Sequence, residues 1–332
     1  MKDKKVLRVA LVGCGRVATL HHMPVYRRLK TVHVTAVSDV NAKVCEAFAK
    51  SFKIGKCYQD VREMMAQEDF DLVDICTPPA THYSLAREAI ERGFNILVEK
   101  PATLQFDDLT RLQEASRRSG TKVCIVHNYR FLPTVTKLMQ AIRGIRLGRI
   151  RGITALSHES SQRSKEDLDF LYESALHVID LQNLILGKHK AIRDVFVTKS
   201  PHTERVLSVS CVVEFEGGIG IIDAGEGFGS DIFGLDVFGS KRDAAIRFHP
   251  EFLVFLKSSG VPLQVLKGEM LSLAKFAFSK AIPGSHYYSL YHRDLICNYV
   301  RSILDDSEPP VTIEDTINTM RLIHEIKGEA LR

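Results

Sequence analysis

The seven cysteines (14, 45, 57, 76, 124, 211 and 297) contain no Cys-x-x-Cys pair, and their number is odd. A disulfide framework or a zinc ribbon needs paired spacing, so neither is expected, and the cysteines read as reduced thiols of a cytosolic chain. No apolar run approaches the ~20 residues of a membrane-spanning helix, so no membrane association is expected. Dense blocks of one charge are also missing: Lys plus Arg number 45 against 40 for Asp plus Glu, a net charge of +5. That mild basicity suits an anionic ligand but not nucleic acid. Internal repeats and low-complexity segments are absent. Met1-Lys2-Asp3-Lys4-Lys5 before the apolar residues 6–12 imitates a signal peptide. Arg8 interrupts that stretch, and Gly13-Cys14-Gly15-Arg16 is no small-residue cleavage site, so a cytoplasmic location is expected. No His-Glu-x-x-His or comparable spacing surrounds His21-His22 or His158-Glu159, so no metal site is expected.

What is there is ordinary globular composition: 332 residues, 45% hydrophobic and 26% charged. That length carries about two domains. Residues 6–12, 32–38, 72–76, 95–98 and 122–126 read as buried strands. Between them fall helical stretches at 17–29, 42–52, 61–67, 84–92 and 107–119. Asn41 and Asp60 can cap the second and third of these by accepting from free first-turn amides. Gly93 can end the fourth, because glycine tolerates the left-handed conformation. Strands separated by helices imply right-handed crossovers and a doubly wound parallel sheet. Beyond that, strand candidates arrive in succession at 150–157, 194–199, 206–215, 218–224, 234–238 and 245–248. Glu216-Gly217-Gly218 is a hairpin turn, and a helix at 168–186 precedes most of these strands. Helices at 289–304 and 313–330 flank the breaker Glu308-Pro309-Pro310. The expected architecture is α/β: a Rossmann domain over residues 1–126, then an α+β domain over 127–332 with an open, mostly antiparallel sheet.

The chemistry-bearing motifs sit at the carboxyl ends of the first set of strands. Gly13-x-Gly15-x-x-Ala18 lies between a strand and a helix. The first glycine makes the turn, the second admits a pyrophosphate, and the small third residue allows close helix packing. Asp39 closes the second strand, where a carboxylate accepts from both ribose hydroxyls of NAD and repels the 2′-phosphate of NADP. NAD is therefore expected over NADP. Arg16 and Val17 open the helix beside the phosphates. Thr77-Pro78-Pro79 ends the fourth strand, and His82 either touches the cofactor or helps start its helix. Glu99-Lys100-Pro101 ends the fifth strand and aims a lysine into the crevice.

Val12-Gly13-Cys14-Gly15-Arg16, Cys76-Thr77-Pro78-Pro79-x-x-His82 and Val98-Glu99-Lys100-Pro101 resemble the glucose–fructose oxidoreductase / inositol dehydrogenase / rhizopine catabolism family. Asn128-Tyr129-Arg130-Phe131 resembles its Asn-x-Arg-Phe segment, and Glu308-Pro309-Pro310-Val311-Thr312 its ending, so the resemblance covers almost the whole chain. The family's Asp-x-Gly-x-His-x-x-Asp helix matches Glu173-Ser174-Ala175-Leu176-His177-Val178-Ile179-Asp180 only at His177 and Asp180. Glu173 replaces Asp, Ala175 replaces Gly, and the preceding glycine run is missing.

The resemblance implies an NAD-dependent oxidoreductase acting on a secondary alcohol of a sugar, cyclic polyol or nucleotide-sugar. Two other readings stand beside it: a redox-neutral glycoside-processing enzyme holding NAD, and a non-catalytic ligand sensor. Lys100, His177 and Glu173 are the catalytic candidates, with His177 as base and Glu173, four residues away on one helical face, orienting it. Lys100 itself is the alternative base. Cofactor contacts are expected from Gly13, Gly15, Arg16, Val17, Asp39, Thr77, Pro78, His82, Glu99, Lys100 and Asn128. Substrate contacts are expected from Lys100, Arg130, Arg163, His177 and Asp180, with Lys165 nearby for an anionic group. Phe276, Phe278, Tyr287, Tyr288 and Tyr291 read as core and pocket wall. A homodimer or homotetramer is expected, because one face of the second sheet needs a cover.

Overall fold

The computed structural model describes residues 6–162, 164, 166–249, 251–256 and 289–332. It contains two sheets, each in its own compact unit. One unit comprises residues 1–131 and 286–317, the other 132–285 and 318–332. The sequence places a single boundary between 126 and 127; the structure instead returns a late segment to the first unit. The helix Ser289–Leu304 shows why. Its Leu295, Ile296, Tyr299 and Val300 are fully or almost fully buried in a core that includes Leu7, Val9, Leu11 and Leu97. Tyr299 also donates to the carbonyl of Lys122 at 2.7 Å. An apolar stripe that finds its cover on a distant sheet leaves no local trace of its destination.

The first sheet has six parallel strands: β1 (Leu7–Val12), β2 (Val32–Ser38), β3 (Cys57–Tyr58), β4 (Leu72–Ile75), β5 (Asn95–Val98) and β6 (Val123–Ile125). They lie in the order β3-β2-β1-β4-β5-β6, the doubly wound arrangement. The order reverses beside β1, and there the carboxyl ends of β1, β2, β4 and β5 open a crevice. The helix Met23–Tyr26 (α1) follows a π-helical turn over Ala18–His22. Ala42–Phe52 (α2) and Val61–Gln67 (α3) carry the expected caps, Asn41 accepting from the amides of Lys43 and Val44 and Asp60 from that of Arg62. Pro79–Glu91 (α4) starts five residues before the expected helix, since proline fits the first helical position. Phe106–Ser119 (α5) completes the layer. Cys45 of α2 and Cys57 of β3 are joined as a disulfide, correcting the expectation of free thiols. Their Cα atoms stand 6.1 Å apart because the crossover folds back on β2, a proximity that spacing alone does not reveal.

The second sheet has seven strands: β7 (Ile150–Glu159), β8 (His189–Lys199), β9 (Val206–Phe215), β10 (Gly218–Glu226), β11 (Ile232–Gly239), β12 (Asp243–Phe248) and β13 (Glu251–Leu256). Their order is β13-β12-β11-β7-β10-β9-β8, antiparallel except for the parallel pair β7 and β10. Helix Pro133–Arg143 (α6), absent from the sequence reading, packs by β12 and β13. Helix Leu176–Leu186 (α7) covers β7, β10 and β11. Gln182 of α7 donates to the carbonyls of Ile153 and Ile221, fixing the helix to two strands. The expected helix over 168–186 is shorter, because Leu171–Ala175 is a separate π-helical turn. The opposite face of the sheet leaves Phe196, Ile219, Ile221 and Phe238 exposed, Phe196 by 65%. The helices Ser289–Leu304 (α8) and Ile313–Ala330 (α9) have their expected bounds. No helix among the described residues is long and apolar enough to cross a membrane.

Candidate functional site

The turn after β1 requires glycine at position 13. Its φ is +92°, and a Cβ there would lie 2.8–2.9 Å from the backbone of Cys76 and Thr77. The first turn therefore passes directly against the exit of β4. At Gly15 the same Cβ would meet nothing within 4 Å, so this position borders open space, which close approach of a phosphate requires. Arg16 is exposed and Val17 partly so, both at the start of the helical segment that leads into α1. Asp39 ends β2 with both oxygens braced: Oδ2 accepts from the Cys14 amide and Oδ1 from the Asn41 amide, each at 2.9 Å. Two N–H donors fix the carboxylate's orientation while leaving lone pairs for a diol. The Cys14 thiol is pushed up to about 12 by burial and by Asp39, so it stays protonated. This turn and this carboxylate fit a dinucleotide, with Gly13, Gly15 and Asp39 as the holding residues.

The exits of β4 and β5 are tied together by His82. Its Nδ1 lies 2.8 Å from the Pro101 carbonyl and its Nε2 2.7 Å from the Thr77 carbonyl. The ring is fully buried. His82 thus holds the two loops in place. Thr77 also accepts from the Thr81 hydroxyl, while Pro78 is exposed at the crevice. Lys100 follows, partly exposed, with its amide donating to Glu99 Oε2 at 3.2 Å and a cis peptide bond to Pro101.

Beneath this segment lies a buried charged cluster. Asp74, inside β4, accepts from Tyr26 at 2.8 Å and faces His22 Nδ1 at 2.7 Å. His22 Nε2 in turn faces Glu99 Oε1 at 3.1 Å, and His292 of α8 faces the same oxygen at 3.3 Å. His21 stacks on His292 with ring centroids 4.6 Å apart. Burial works against charge on His22, but the Asp74 carboxylate outweighs it and raises its pKa well above the ordinary value. Burial likewise opposes ionisation of Glu99, and the bonds from His22 and His292 overcome it, leaving the carboxyl well below its usual range. The Cys76 thiol is pushed up to about 12 by burial and by Asp74. None of His22, Asp74 and His292 stands among the site residues expected from sequence. Asp74 carried a signal, a lone acid among Leu72, Val73 and Ile75, but its partners are remote in sequence.

Asn128, 9% exposed, lies with Nδ2 3.4 Å from His292 Nε2. Arg130, expected to meet substrate, forms an ion pair with Asp315 at 3.2 Å and has 7% side-chain exposure. That pairing fixes the guanidinium beside the first turn of α9. In the second unit, His177 is buried in the first turn of α7. Its ring lies edge-on to Phe233 at 6.3 Å, and Phe233 stacks on His249 at 5.9 Å. Burial lowers the pKa of His249, which favours its neutral form. Asp180, buried one turn on, accepts from Thr319 at 3.2 Å. Glu173 is exposed in the π-helical turn. Arg163 and Lys165 lie outside the described residues, as do Phe276, Phe278, Tyr287 and Tyr288. Tyr291 is buried core in the first unit.

Residues 7–127 match the model of an oxidoreductase family with an NAD-binding Rossmann fold. The D-apiose dehydrogenase of Paraburkholderia graminis is 25% identical over 190 residues, 55% of this chain and 50% of that protein. The myo-inositol 2-dehydrogenase of Thermotoga maritima is 23% identical over 254 residues, 71% of this chain and 73% of that one. Against the apiose enzyme the alignment spans only half of the relative's length. The crystal structure of the WlbA dehydrogenase from Bordetella pertussis, in complex with NADH and UDP-GlcNAcA, superposes with a TM-score of 0.79. It is 18% identical, and the superposition covers 100% of this chain and 97% of that one, a likeness of fold.

Proposed function

Through residues 7–127 the chain belongs to the oxidoreductase family with an NAD-binding Rossmann fold, and from that premise we propose that it is an NAD-dependent dehydrogenase of a sugar, cyclic polyol or nucleotide-sugar secondary alcohol. The observation that carries this reading is the pairing of a braced Asp39 and an open Gly15 with Lys100 at the next strand exit but one. In it, residues 1–126 hold the cofactor, and substrate contacts and the surface for self-association come from within residues 127–332.

NAD, when bound, supplies the ring that accepts hydride from the alcohol carbon. Gly13, Gly15, Arg16 and Val17 hold the pyrophosphate end, Asp39 the ribose, and Thr77, Pro78, Glu99 and Asn128 wall the crevice. The chain's own task is to remove the hydroxyl proton and stabilise the oxygen left behind. Imidazole is the side chain suited to take that proton near neutral pH, which assigns the step to His177. A cationic Lys100 stabilises the developing alkoxide and polarises it in the product ketone.

Three outcomes test the proposal. NAD binds more tightly than NADP, since a 2′-phosphate beside Asp39 adds a repulsion of roughly a kcal/mol or more. Asp39→Ala narrows that gap in a fluorescence titration, and a wild-type preference for NADP would contradict the assignment. Lys100→Ala and His177→Ala each lose ~10²–10⁴-fold in turnover while NAD binding persists. Glu173→Gln changes turnover far less, and near-wild-type turnover of His177→Ala would remove histidine as the base. Finally, the exposed Phe196, Ile219, Ile221 and Phe238 pack against a second copy, because monomers rarely leave such a patch bare. Light scattering at micromolar concentration therefore reports a dimer or tetramer, and a monomer would overturn that part.

A further inference from the structure

Three electron-pair donors converge beneath the Glu99-Lys100 segment, all within the first unit. His22 Nε2 and His292 Nε2 lie 3.1 and 3.3 Å from Glu99 Oε1, and the three atoms lie within 4.8 Å of one another. The other nitrogen of His22 is engaged by Asp74 Oδ2 at 2.7 Å. With Nδ1 held by Asp74, His22 presents Nε2 to the Glu99 carboxylate, and His292 presents its Nε2 to the same oxygen. A metal ion that displaces the proton between these groups keeps the buried carboxylate neutralised. We propose that such an ion, a divalent transition metal of the zinc class, is bound by His22 Nε2, Glu99 Oε1 and His292 Nε2.

Donor type and spacing both suit such an ion. Imidazole nitrogen and carboxylate oxygen bind zinc at ~2.0–2.2 Å in tetrahedral geometry, which places ligand atoms about 3.3 Å apart. The separations from Glu99 match that edge. Asp74 occupies the position of the outer carboxylate that fixes a metal-bound histidine's tautomer and ring orientation. Tyr26 donates to the same Asp74 oxygen and holds it in turn. Asn128 stands beside one of the three. Its Oδ1 is buried without a hydrogen-bond partner, while its Nδ2 lies 3.4 Å from His292 Nε2. A half-turn of the amide exchanges the two atoms and sets the oxygen beside His292. Cys76 offers a second arrangement with Asp74 and His22 Nδ1, but its Sγ is 3.5 Å from a nitrogen already committed to Asp74. The ligands come from the segment after the glycine turn, from the exit of β5 and from α8. No local spacing marks such a set in the sequence, and three protein ligands leave one position of a tetrahedral ion open. Glu99 and Asn128 also wall the proposed cofactor crevice, so the readouts of the metal are chosen to involve no nicotinamide.

The test is Zn²⁺ alone, added to the full chain after chelator treatment and dialysis, with circular dichroism confirming the fold. One equivalent per chain binds by elemental analysis, the thermal midpoint rises, and Co²⁺ in its place gives the visible d–d bands of a tetrahedral site. Asp74→Asn weakens Zn²⁺ binding about 10–100-fold, as loss of an outer-shell carboxylate does. His292→Gln weakens it at least as much. Folded wild-type protein that takes up no Zn²⁺ would overturn the proposal and leave a protonated histidine pair in the cluster. So would stoichiometric uptake that His292→Gln leaves unchanged, because the ion would then lie elsewhere.

Discussion

Asp74 is an acid in the middle of an apolar strand, and the first unit is arranged around the need to neutralise it. A buried carboxylate is tolerated only with donors and opposite charge close by. Tyr26 and His22 supply them from the segment after the glycine turn, which fixes that segment against β4. His22 then passes the demand to Glu99 at the end of β5, and Glu99 passes it to His292 of α8. One charge therefore links the glycine turn, two strand exits and a helix that comes from the far end of the chain. Lys100 stands directly after the last strand in this series, so the candidate catalytic lysine inherits its position from Asp74. Breaking such a buried network by removing one partner costs ~3–5 kcal/mol, against ~0–1 kcal/mol for an exposed ion pair.

The crevice has a second constraint that acts through space. Gly13 lets β1's exit pass within van der Waals limits of β4's exit, where any side chain would collide with backbone. Asp39 can then reach back to the Cys14 amide, so the carboxylate that marks the second strand also braces the turn after the first. His82 closes the remaining gap between Thr77 and Pro101. These three contacts give the crevice a defined width before any ligand arrives, the preorganisation that a binding site needs.

Much of this was legible in the sequence where the physics is local. Asn41 and Asp60 announce their helices because a side-chain oxygen replaces a missing backbone partner within three residues. Gly13, Gly15 and Asp39 are readable because the turn geometry restricts residue type at fixed spacing. What stayed hidden depends on distant partners. His22, Asp74, Glu99 and His292 meet only after the sheet forms, and Arg130 finds Asp315 across more than half the length of the chain. The two-residue strand β3 is too short for a period to show, and it is this strand that brings Cys57 to Cys45. The π-helical turn at Leu171–Ala175 was hidden for a different reason, since one extra residue in a turn leaves no mark in the apolar pattern.

The crevice between the glycine turn, Asp39 and the Lys100 segment is proposed as a dehydrogenase site. Absorbance of reduced nicotinamide, followed while purified protein and NAD are mixed with a panel of sugars, cyclic polyols and UDP-sugars, decides it. Stoichiometric or catalytic NADH formation is expected with at least one member of the panel, lost on Lys100→Ala. NAD bound tightly with no NADH from any member, and the same binding in the alanine variant, would contradict it and favour a ligand sensor on the same fold.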